Sequence, residues 1–314
     1  MKAAILTAPF TIELMEVALP QLTSTQARLR VLQCGVCTSD VDLWLGKAVE
    51  KLPARVGHEI AGIIEEIGEE VTSVSVGDRV AALVNGGGFA EEIVVDERLC
   101  VRVDPNVAYP AVAEPLACTI SAVESAAPAL ADDVVIIGAG YMGNLVQLVT
   151  SLKGPRSITV ADVRADALAR ASALGATQVV DTCRESLSDA VRERCNRDGA
   201  DLTYEVTGVS AGLDLAGEVT RMSGKLCIVG YHQGGTRAIP LADWNWMAFD
   251  LINAHFRKTE TIMRGMRAGI RLVNAGILDA SNLVTGSYPL SRIAEAFELA
   301  TVKPAGFVKA VVEP

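Results

Sequence analysis

Residues 132–152 read DDVVIIGAGYMGNLVQLVTSL and join a strand pattern, a glycine-rich turn and a helix pattern. The glycines Gly138, Gly140 and Gly143 follow the apolar run 134–137 with the spacing GxGxxG, directly between strand and helix as this motif requires. The first glycine permits a tight turn, the second lets a phosphate approach the backbone, and the third lets the helix pack closely on the strand. The stretch therefore predicts a doubly wound α/β domain whose helix start holds phosphate groups.

The next strand pattern, residues 158–161, ends in Asp162, 24 positions after Gly138. A carboxylate there accepts hydrogen bonds from an adenosine ribose and repels a 2′-phosphate, which favours NAD over NADP. Arg164, two residues on, leaves NADP open. The alternative is a glycine turn that binds nothing. The residues assigned to the cofactor here are Gly138, Gly140, Tyr141, Met142, Gly143 and Asp162.

Length and composition limit the class of protein. The chain has 314 residues, half of them apolar, which is enough for about two domains with a sizeable core. A net charge of −10 and a pI near 4.9 argue against nucleic acids and anionic membranes as partners, because both need a basic surface. No secretory leader and no run of about 18 apolar residues is visible. We expect a cytoplasmic protein with small-molecule partners, and its seven cysteines, an odd number, suit a reducing compartment.

The pattern of the chain changes along its length. The first hundred residues hold short runs rich in valine and isoleucine between turn residues, which predicts several strands. From about Pro110, strand patterns alternate with helix patterns, which predicts a parallel sheet covered by helices on both faces. The last fifty residues are mixed again. We expect one domain over residues 1–117 and 258–314 and a dinucleotide-binding domain over residues 118–257.

A second motif, CGVCTSD at residues 34–40, precedes GHE at residues 57–59. Thiolate and imidazole are preferred zinc ligands, and a catalytic zinc uses three protein ligands with one position open. His58 is one of three histidines and stands between a glycine and a glutamate. A hydrogen-bonded core histidine is the alternative. From spacing alone, Cys34 and Cys37 are compatible with a shared metal, a redox couple or unequal roles.

Together these motifs resemble the zinc-dependent medium-chain dehydrogenase/reductase superfamily, nearest the sorbitol and threonine dehydrogenase branch. The likeness covers essentially the whole chain and rests on CGVCTSD, GHEIAGIIEEIG, GDRVA, AEPLA, VVIIGAGYMG and the closing GFVKAVV. It implies an α/β protein with a GroES-like β-rich catalytic domain and a Rossmann domain with a doubly wound parallel sheet. It also implies that Cys37 and His58 bind one catalytic zinc, with Cys34 as a packed neighbour. Glu59 and Glu114 would share the remaining ligand roles.

The resemblance assigns further roles near the metal. Ser39 would pass the substrate proton to a relay, and Asp42 stands where relatives often have a histidine; with His58 they form the expected catalytic group. Asp40 would orient the histidine ligand and fix its tautomer. The alternative for both acids is a solvated turn. Trp44 would line the substrate pocket, or simply pack.

Three positions later in the chain are assigned in the same way. Lys309 in GFVKAVV matches a basic residue that reaches the cofactor pyrophosphate, and Arg257 in HFRK matches an arginine near the polyol of similar enzymes. Each would equally suit a surface cation in a weak ion pair. His232 follows the strand pattern of GKLCIVG, near the expected place of the nicotinamide carboxamide.

The chain departs from many relatives in one lobe. Only NGGGF joins the strand patterns of GDRVAALV and AEEIVV, where those relatives insert four cysteines for a structural zinc. We expect a single catalytic zinc and no structural zinc. The implied activity is zinc- and NAD-dependent oxidation of a secondary alcohol, such as a polyol, sugar or cyclitol, to the ketone by reversible hydride transfer. A homodimer or homotetramer is implied as well.

Two other functions stay open. A zinc-free, NADPH-dependent quinone or enone reductase of the same superfamily would lack the CxxC and GHE elements. A non-catalytic dinucleotide-binding protein would keep the fold without a need for the whole set of candidate ligands and relay residues. The sequence does not decide which alcohol is oxidised.

Overall fold

The computed structural model describes residues 1–47, 51–196 and 198–314. The chain divides into two compact units, one formed by Met1–Ala117 with Ile262–Pro314 and the other by Cys118–Thr261. The first unit takes both ends of the chain, and its second segment begins at residue 262, where the sequence suggests residue 258. Among the described residues, no helix combines the length and the apolar character needed to span a membrane.

Mostly antiparallel strands build the first unit before residue 117. The elements of this part are β1 (Lys2–Ala8), β2 (Thr11–Glu16), β3 (Gln26–Gly35), α1 (Thr38–Trp44), β4 (Ala54–Arg55), β5 (Glu59–Ile67), β6 (Arg79–Leu83), β7 (Glu92–Asp96), β8 (Cys100–Arg102) and α2 (Ala113–Ala126), which continues into the second unit. β3 pairs with β5 and with β7. Its alternating Ala27, Leu29 and Val31 are buried on one face, as the period of a strand requires.

The second unit is a parallel α/β domain. Its elements are β9 (Asp133–Ile137), α3 (Tyr141–Ser151), β10 (Ser157–Asp162), α4 (Ala165–Ala173), β11 (Gln178–Asp181), α5 (Leu187–Cys195), β12 (Ala200–Glu205), α6 (Ser210–Val219), β13 (Thr220–Ile228), α7 (Leu241–Trp246) and β14 (Asp250–Asn253). The strands run parallel in the order β11-β10-β9-β12-β13-β14. The winding therefore reverses between β9 and β12, which is where a doubly wound sheet opens a crevice for a ligand.

The final segment completes the first unit. Its elements are α8 (Thr259–Asn274), β15 (Gly286–Pro289), α9 (Ile293–Val302) and β16 (Ala310–Glu313). α8 is amphipathic, since Met263 and Ile270 are buried while Arg267 is exposed. β16 pairs antiparallel with β3, with Val311 opposite Gly35. This pairing brings the end of the chain beside the CGVCTSD motif.

The structure decides between two alternatives at one segment and differs from the sequence pattern at another. Residues Thr38–Trp44 form the helix α1 and not a solvated turn. The stretch AGLDLAGEVTRM suggests one helix, yet α6 ends at Val219 and β13 begins at Thr220. The Thr220 hydroxyl donates to the Ala216 carbonyl at 2.7 Å and so caps the end of α6.

Candidate active site

The end of β3 and the start of β5 carry the predicted metal ligands. The two strands are antiparallel with Gly35 opposite Glu59, so the residues after Gly35 and before Glu59 meet at one edge of the sheet. Ligand atoms of Cys37, His58 and Glu59 all lie within 4.8 Å of one another. We call these three residues the Cys-His-Glu cluster.

Gly57 shapes the backbone before His58. Its φ is +91°, in the region that favours glycine. A Cβ at this position would lie 2.6 Å from the Phe89 ring and 2.9 Å from the Cys34 sulfur. Glycine is therefore required by both the conformation and the space, which gives the GHE motif a physical reason.

Cys34 and Cys37 have unequal surroundings. Cys34 is fully buried, and burial followed by the charge of Asp40 raises the pKa of its thiol well above the usual range. A thiol held in this way is a poor nucleophile, which disfavours a redox couple. Cys37 is partly exposed and points one ligand atom at His58 and Glu59. The geometry thus favours unequal roles, with Cys34 as packing.

Asp40 lies beside His58 on the Nδ1 side of the imidazole ring. Its Oδ2 lies 3.4 Å from His58 Nδ1, and its Oδ1 accepts the Gly57 amide at 3.1 Å. Burial by itself lowers the pKa of His58, but hydrogen bonds to Asp40 and then Cys37 outweigh it and raise that pKa to about 12. Asp40 is only 6% exposed, so the solvated-turn alternative does not describe it. The imidazole thus lies between the Asp40 carboxylate and the Cys37 sulfur.

Glu59 is paired with a lysine from the other end of the chain. Lys309 Nζ lies 2.7 Å from Glu59 Oε1 and 2.6 Å from Oε2, and both side chains are buried. Burial lowers the pKa of Lys309, but Glu59, then Cys37 and Glu114, raise it above its usual range. A Cβ on Gly35 would overlap the Glu59 carboxylate, so this glycine makes room for the pair. The sequence did not predict the pairing, and the expected contact of Lys309 with the cofactor pyrophosphate stays a prediction.

The donors of the cluster suit a zinc ion. The carboxylates of Asp40 and Glu59 lie beside His58 and Lys309, so the cluster combines acidic groups with a thiol and an imidazole. Thiolate, imidazole and carboxylate are also the donors that zinc prefers. Among the described residues, the cluster within 4.8 Å does not include Glu114, which lies in the first turn of α2.

The other residues assigned near the metal lie on α1. Ser39 is partly exposed in its first turn, and Asp42 Oδ1 lies 3.9 Å from Lys47 Nζ. Trp44 is 5% exposed and packs edge-on against Phe10 and Phe297, with ring centroids 5.2 and 6.0 Å away. Packing, the alternative interpretation of Trp44, accounts for this position.

The glycine-rich turn of the second unit fits a dinucleotide. Gly138 has φ +105°, and a Cβ there would lie 3.0 Å from Thr207 Cγ2. A Cβ on Gly143 would overlap the Gly138 carbonyl oxygen, so α3 starts close against the turn. By contrast, a Cβ on Gly140 would meet nothing within 4 Å. The open space at Gly140 is where a phosphate approaches the backbone in this motif.

The end of β10 bears on the choice of dinucleotide. Asp162 accepts the Ala139 amide at 2.7 Å and the Arg164 amide at 2.9 Å. The guanidinium of Arg164 pairs with Asp166, with Nη2 at 2.6 Å from Oδ2. Arg164 is therefore already engaged by a carboxylate of its own helix. Arg257, assigned to the substrate, is exposed in the same unit.

Glu205, which the sequence patterns did not single out, ends β12 completely buried. Its Oε2 lies 2.8 Å from His232 Nε2, and its Oε1 accepts amides of the loop that follows β12. An acid that closes an apolar strand, as in ADLTYEV, is the signal that points to it.

Comparisons with known proteins find a dehydrogenase family model in each part of the chain. The family model for the alcohol dehydrogenase GroES-like domain matches residues 23–105, and the model for zinc-binding dehydrogenases matches residues 142–268. The chain is 28% identical to L-idonate 5-dehydrogenase of Vitis vinifera and to sorbitol dehydrogenase of Arabidopsis thaliana, each over 92% of this chain and 88% of the relative. A zinc-binding dehydrogenase of Sinorhizobium meliloti 1021, solved bound to NADP, shares the fold with a TM-score of 0.89 at 22% identity, covering 100% of this chain and 99% of that one. The chain belongs to the zinc-dependent alcohol dehydrogenase family of medium-chain dehydrogenases/reductases.

Proposed function

We propose that this protein oxidises a secondary alcohol to the ketone with one zinc ion and NAD, and that the alcohol is a polyol, sugar or cyclitol. The observation that carries the proposal is the convergence of Cys37, His58 and Glu59, whose ligand atoms lie within 4.8 Å of one another. A bound zinc would act as a Lewis acid on the substrate oxygen, and the nicotinamide would take the hydride.

The residues around the cluster then have distinct tasks. Asp40 faces Nδ1 of His58 and favours the tautomer with the proton on Nδ1, which leaves Nε2 as the nitrogen that can bind the metal. Lys309 neutralises part of the charge of Glu59 and holds its carboxylate in place. Ser39, two residues after Cys37, takes the substrate proton, and Asp42 or water receives it. Glu114 remains a candidate for a ligand role through water.

NAD is proposed over NADP because of the end of β10. Asp162 presents a carboxylate where the adenosine ribose is expected. Arg164 is held by Asp166 at 2.6 Å, which reduces its availability for a 2′-phosphate. The NADP of the Sinorhizobium meliloti structure belongs to a protein only 22% identical, which supports the fold but not the cofactor choice.

Two observations support a polyhydroxylated substrate. The relatives named L-idonate 5-dehydrogenase and sorbitol dehydrogenase act on polyhydroxylated compounds by their names. A carboxylate in place of a second thiolate makes the site harder and suits oxygen-rich substrates. Arg257 is proposed to lie near such a substrate. We also propose a cytoplasmic homodimer or homotetramer.

Two measurements on the purified protein test the proposal. Elemental analysis should find one zinc per chain. Formation of reduced nicotinamide, followed by absorbance, should occur with NAD and with sugar alcohols or cyclitols in a panel that also holds amino alcohols and simple secondary alcohols. Zinc-free protein that reduces enones or quinones with NADPH would instead identify a zinc-free reductase. Tight NADH binding without turnover on any substrate would identify a binding protein.

A further inference from the structure

The carboxyl ends of β12 and β13 carry a buried acid and a histidine that the mechanism above does not use. β12 is the neighbour of β9 across the point where the winding reverses. The loop after β12 touches the glycine-rich turn, since a Cβ on Gly138 would lie 3.0 Å from Thr207 Cγ2. Glu205 and His232 therefore stand at the edge of the crevice where a doubly wound sheet binds its ligand.

Glu205 joins the loops after both strands. Oε1 accepts the Thr207 amide at 2.7 Å, the Gly208 amide at 3.0 Å and the Thr207 hydroxyl, and Oε2 lies 2.8 Å from His232 Nε2. The backbone carbonyl of Glu205 also accepts the amides of Val229 and Gly230, at 2.8 and 2.9 Å, from the loop after β13. One residue thus fixes both walls of this part of the crevice.

The loop after β12 and the loop after β13 are closely packed against each other. A Cβ on Gly230 would lie 2.5 Å from Glu205 Oε2 and 2.9 Å from the Gly208 Cα. Oε1 of Glu205 accepts three hydrogen bonds, and a carboxylate oxygen such as Oε2 is likewise an acceptor. His232 Nε2, which lies next to Oε2, is therefore the donor of the hydrogen bond between them. Among the described residues, His232 Nδ1 is buried with no hydrogen-bond partner, so the contact of Nε2 with Glu205 orients this ring.

We propose that Glu205 and His232 are positioning residues that set the walls of the site for the nicotinamide half of the dinucleotide, an inference that rests on the proposed function. The turn at Gly138 and the carboxylate of Asp162 serve the phosphates and the adenosine at the ends of β9 and β10. The ends of β12 and β13 lie on the other side of the winding reversal, so the other half of the dinucleotide lies over them. Neither side chain needs to touch the cofactor for this role.

Calorimetric titrations of the full chain with NADH and with ADP-ribose separate the two halves of the dinucleotide site. ADP-ribose lacks the nicotinamide, so it reports on the adenosine half alone. His232→Phe leaves Oε2 of Glu205 buried without its donor, and Glu205→Gln replaces an acceptor by a donor. Each should weaken NADH binding about tenfold while ADP-ribose binding changes by less than about twofold. His232→Gln, which can still donate from Nε2 to Glu205, should recover most of the NADH affinity.

A matched control tests whether the effect is only structural. Asp133 is a buried acid at the opposite, amino-terminal end of β9 and holds Arg156 at 2.5 Å and Ser157 at 2.6 Å. Asp133→Asn should lower the melting temperature without changing the ratio of NADH to ADP-ribose affinity. Equal losses for both ligands in Glu205→Gln and His232→Phe, or no loss for either, would overturn the inference alone. Failure of the unmodified chain to bind NADH would overturn the proposed function together with this inference.

Discussion

Cys34 and Cys37 stand three positions apart, and the fold gives them different tasks that substitution can separate. We expect Cys37→Ala to lose the bound zinc, because it removes one of three ligands. Cys34→Ala should retain zinc and lose about 1 kcal/mol of unfolding free energy, because it leaves a small gap beneath Gly57. Zinc content after dialysis and urea unfolding measure the two effects. Equal zinc loss in both variants would contradict the unequal roles.

Asp40 is the second residue whose role can be isolated. Asp40→Asn removes the charge that faces His58 Nδ1 at 3.4 Å, and we expect zinc affinity to fall about 10- to 100-fold. Asp42→Asn, two residues along the same helix, serves as the matched control. It should keep the zinc affinity and lower only the turnover rate if Asp42 ends the proton relay. Competition with a chelating indicator gives both affinities, and unchanged zinc binding in Asp40→Asn would remove Asp40 from the metal site.

At the scale of elements, the start of α3 offers a pair of glycine substitutions with opposite effects. The φ of Gly140 is −72° and its surroundings are open, so Gly140→Ala should keep the melting temperature but weaken NADH binding about tenfold by blocking the phosphate. In Gly143→Ala the new Cβ meets the Gly138 carbonyl, so we expect a loss of about 1–3 kcal/mol in unfolding free energy. Thermal unfolding and NADH titration distinguish them. A destabilised Gly140→Ala with normal NADH affinity would contradict the predicted phosphate site.

The pairing of β16 with β3 places Lys309 on Glu59, and this contact should be costly to break. Lys309→Met leaves a buried carboxylate without its cation, which we expect to cost about 3–5 kcal/mol of unfolding free energy in metal-free protein. Adding Glu59→Gln to this variant removes the uncompensated charge and should restore part of the loss. Urea unfolding of the two variants in the presence of a chelator makes the comparison. A loss below about 1 kcal/mol would indicate that the pair is solvated in solution.

At the scale of the whole molecule, β14 forms one edge of the parallel sheet, and we propose that copies of the chain meet along this edge. Its Leu251 is 44% exposed and the nearby Trp246 is 78% exposed. A lysine on an edge strand opposes pairing with another sheet, so Leu251→Lys should shift the protein toward monomers. Leu130→Lys, at a leucine 83% exposed in the same unit, should leave the assembly unchanged. Light scattering after size-exclusion chromatography measures the mass, and an unchanged mass in Leu251→Lys would place the contact elsewhere.

The sequence by itself determined the local features of this protein. Local patterns predicted the strand before Gly138, the glycine turn after it, and the division into a β-rich part and an α/β part. They could do so because periodicity and glycine geometry are properties of neighbouring residues. The candidate ligands Cys37, His58 and Glu59 were named through family resemblance together with the donor chemistry of cysteine and histidine.

Tertiary structure alone decided which of these residues meet. Glu59 and Lys309 are 250 positions apart, and Glu205 and His232 are 27 apart, so no local pattern couples them. The register of β3 with β5 and β16 sets the first pair, and the parallel order of β9, β12 and β13 sets the second. The burial of Asp40 and the packing of Trp44 have the same origin. A long-range contact depends on how strands align, and that alignment is a property of the folded chain as a whole.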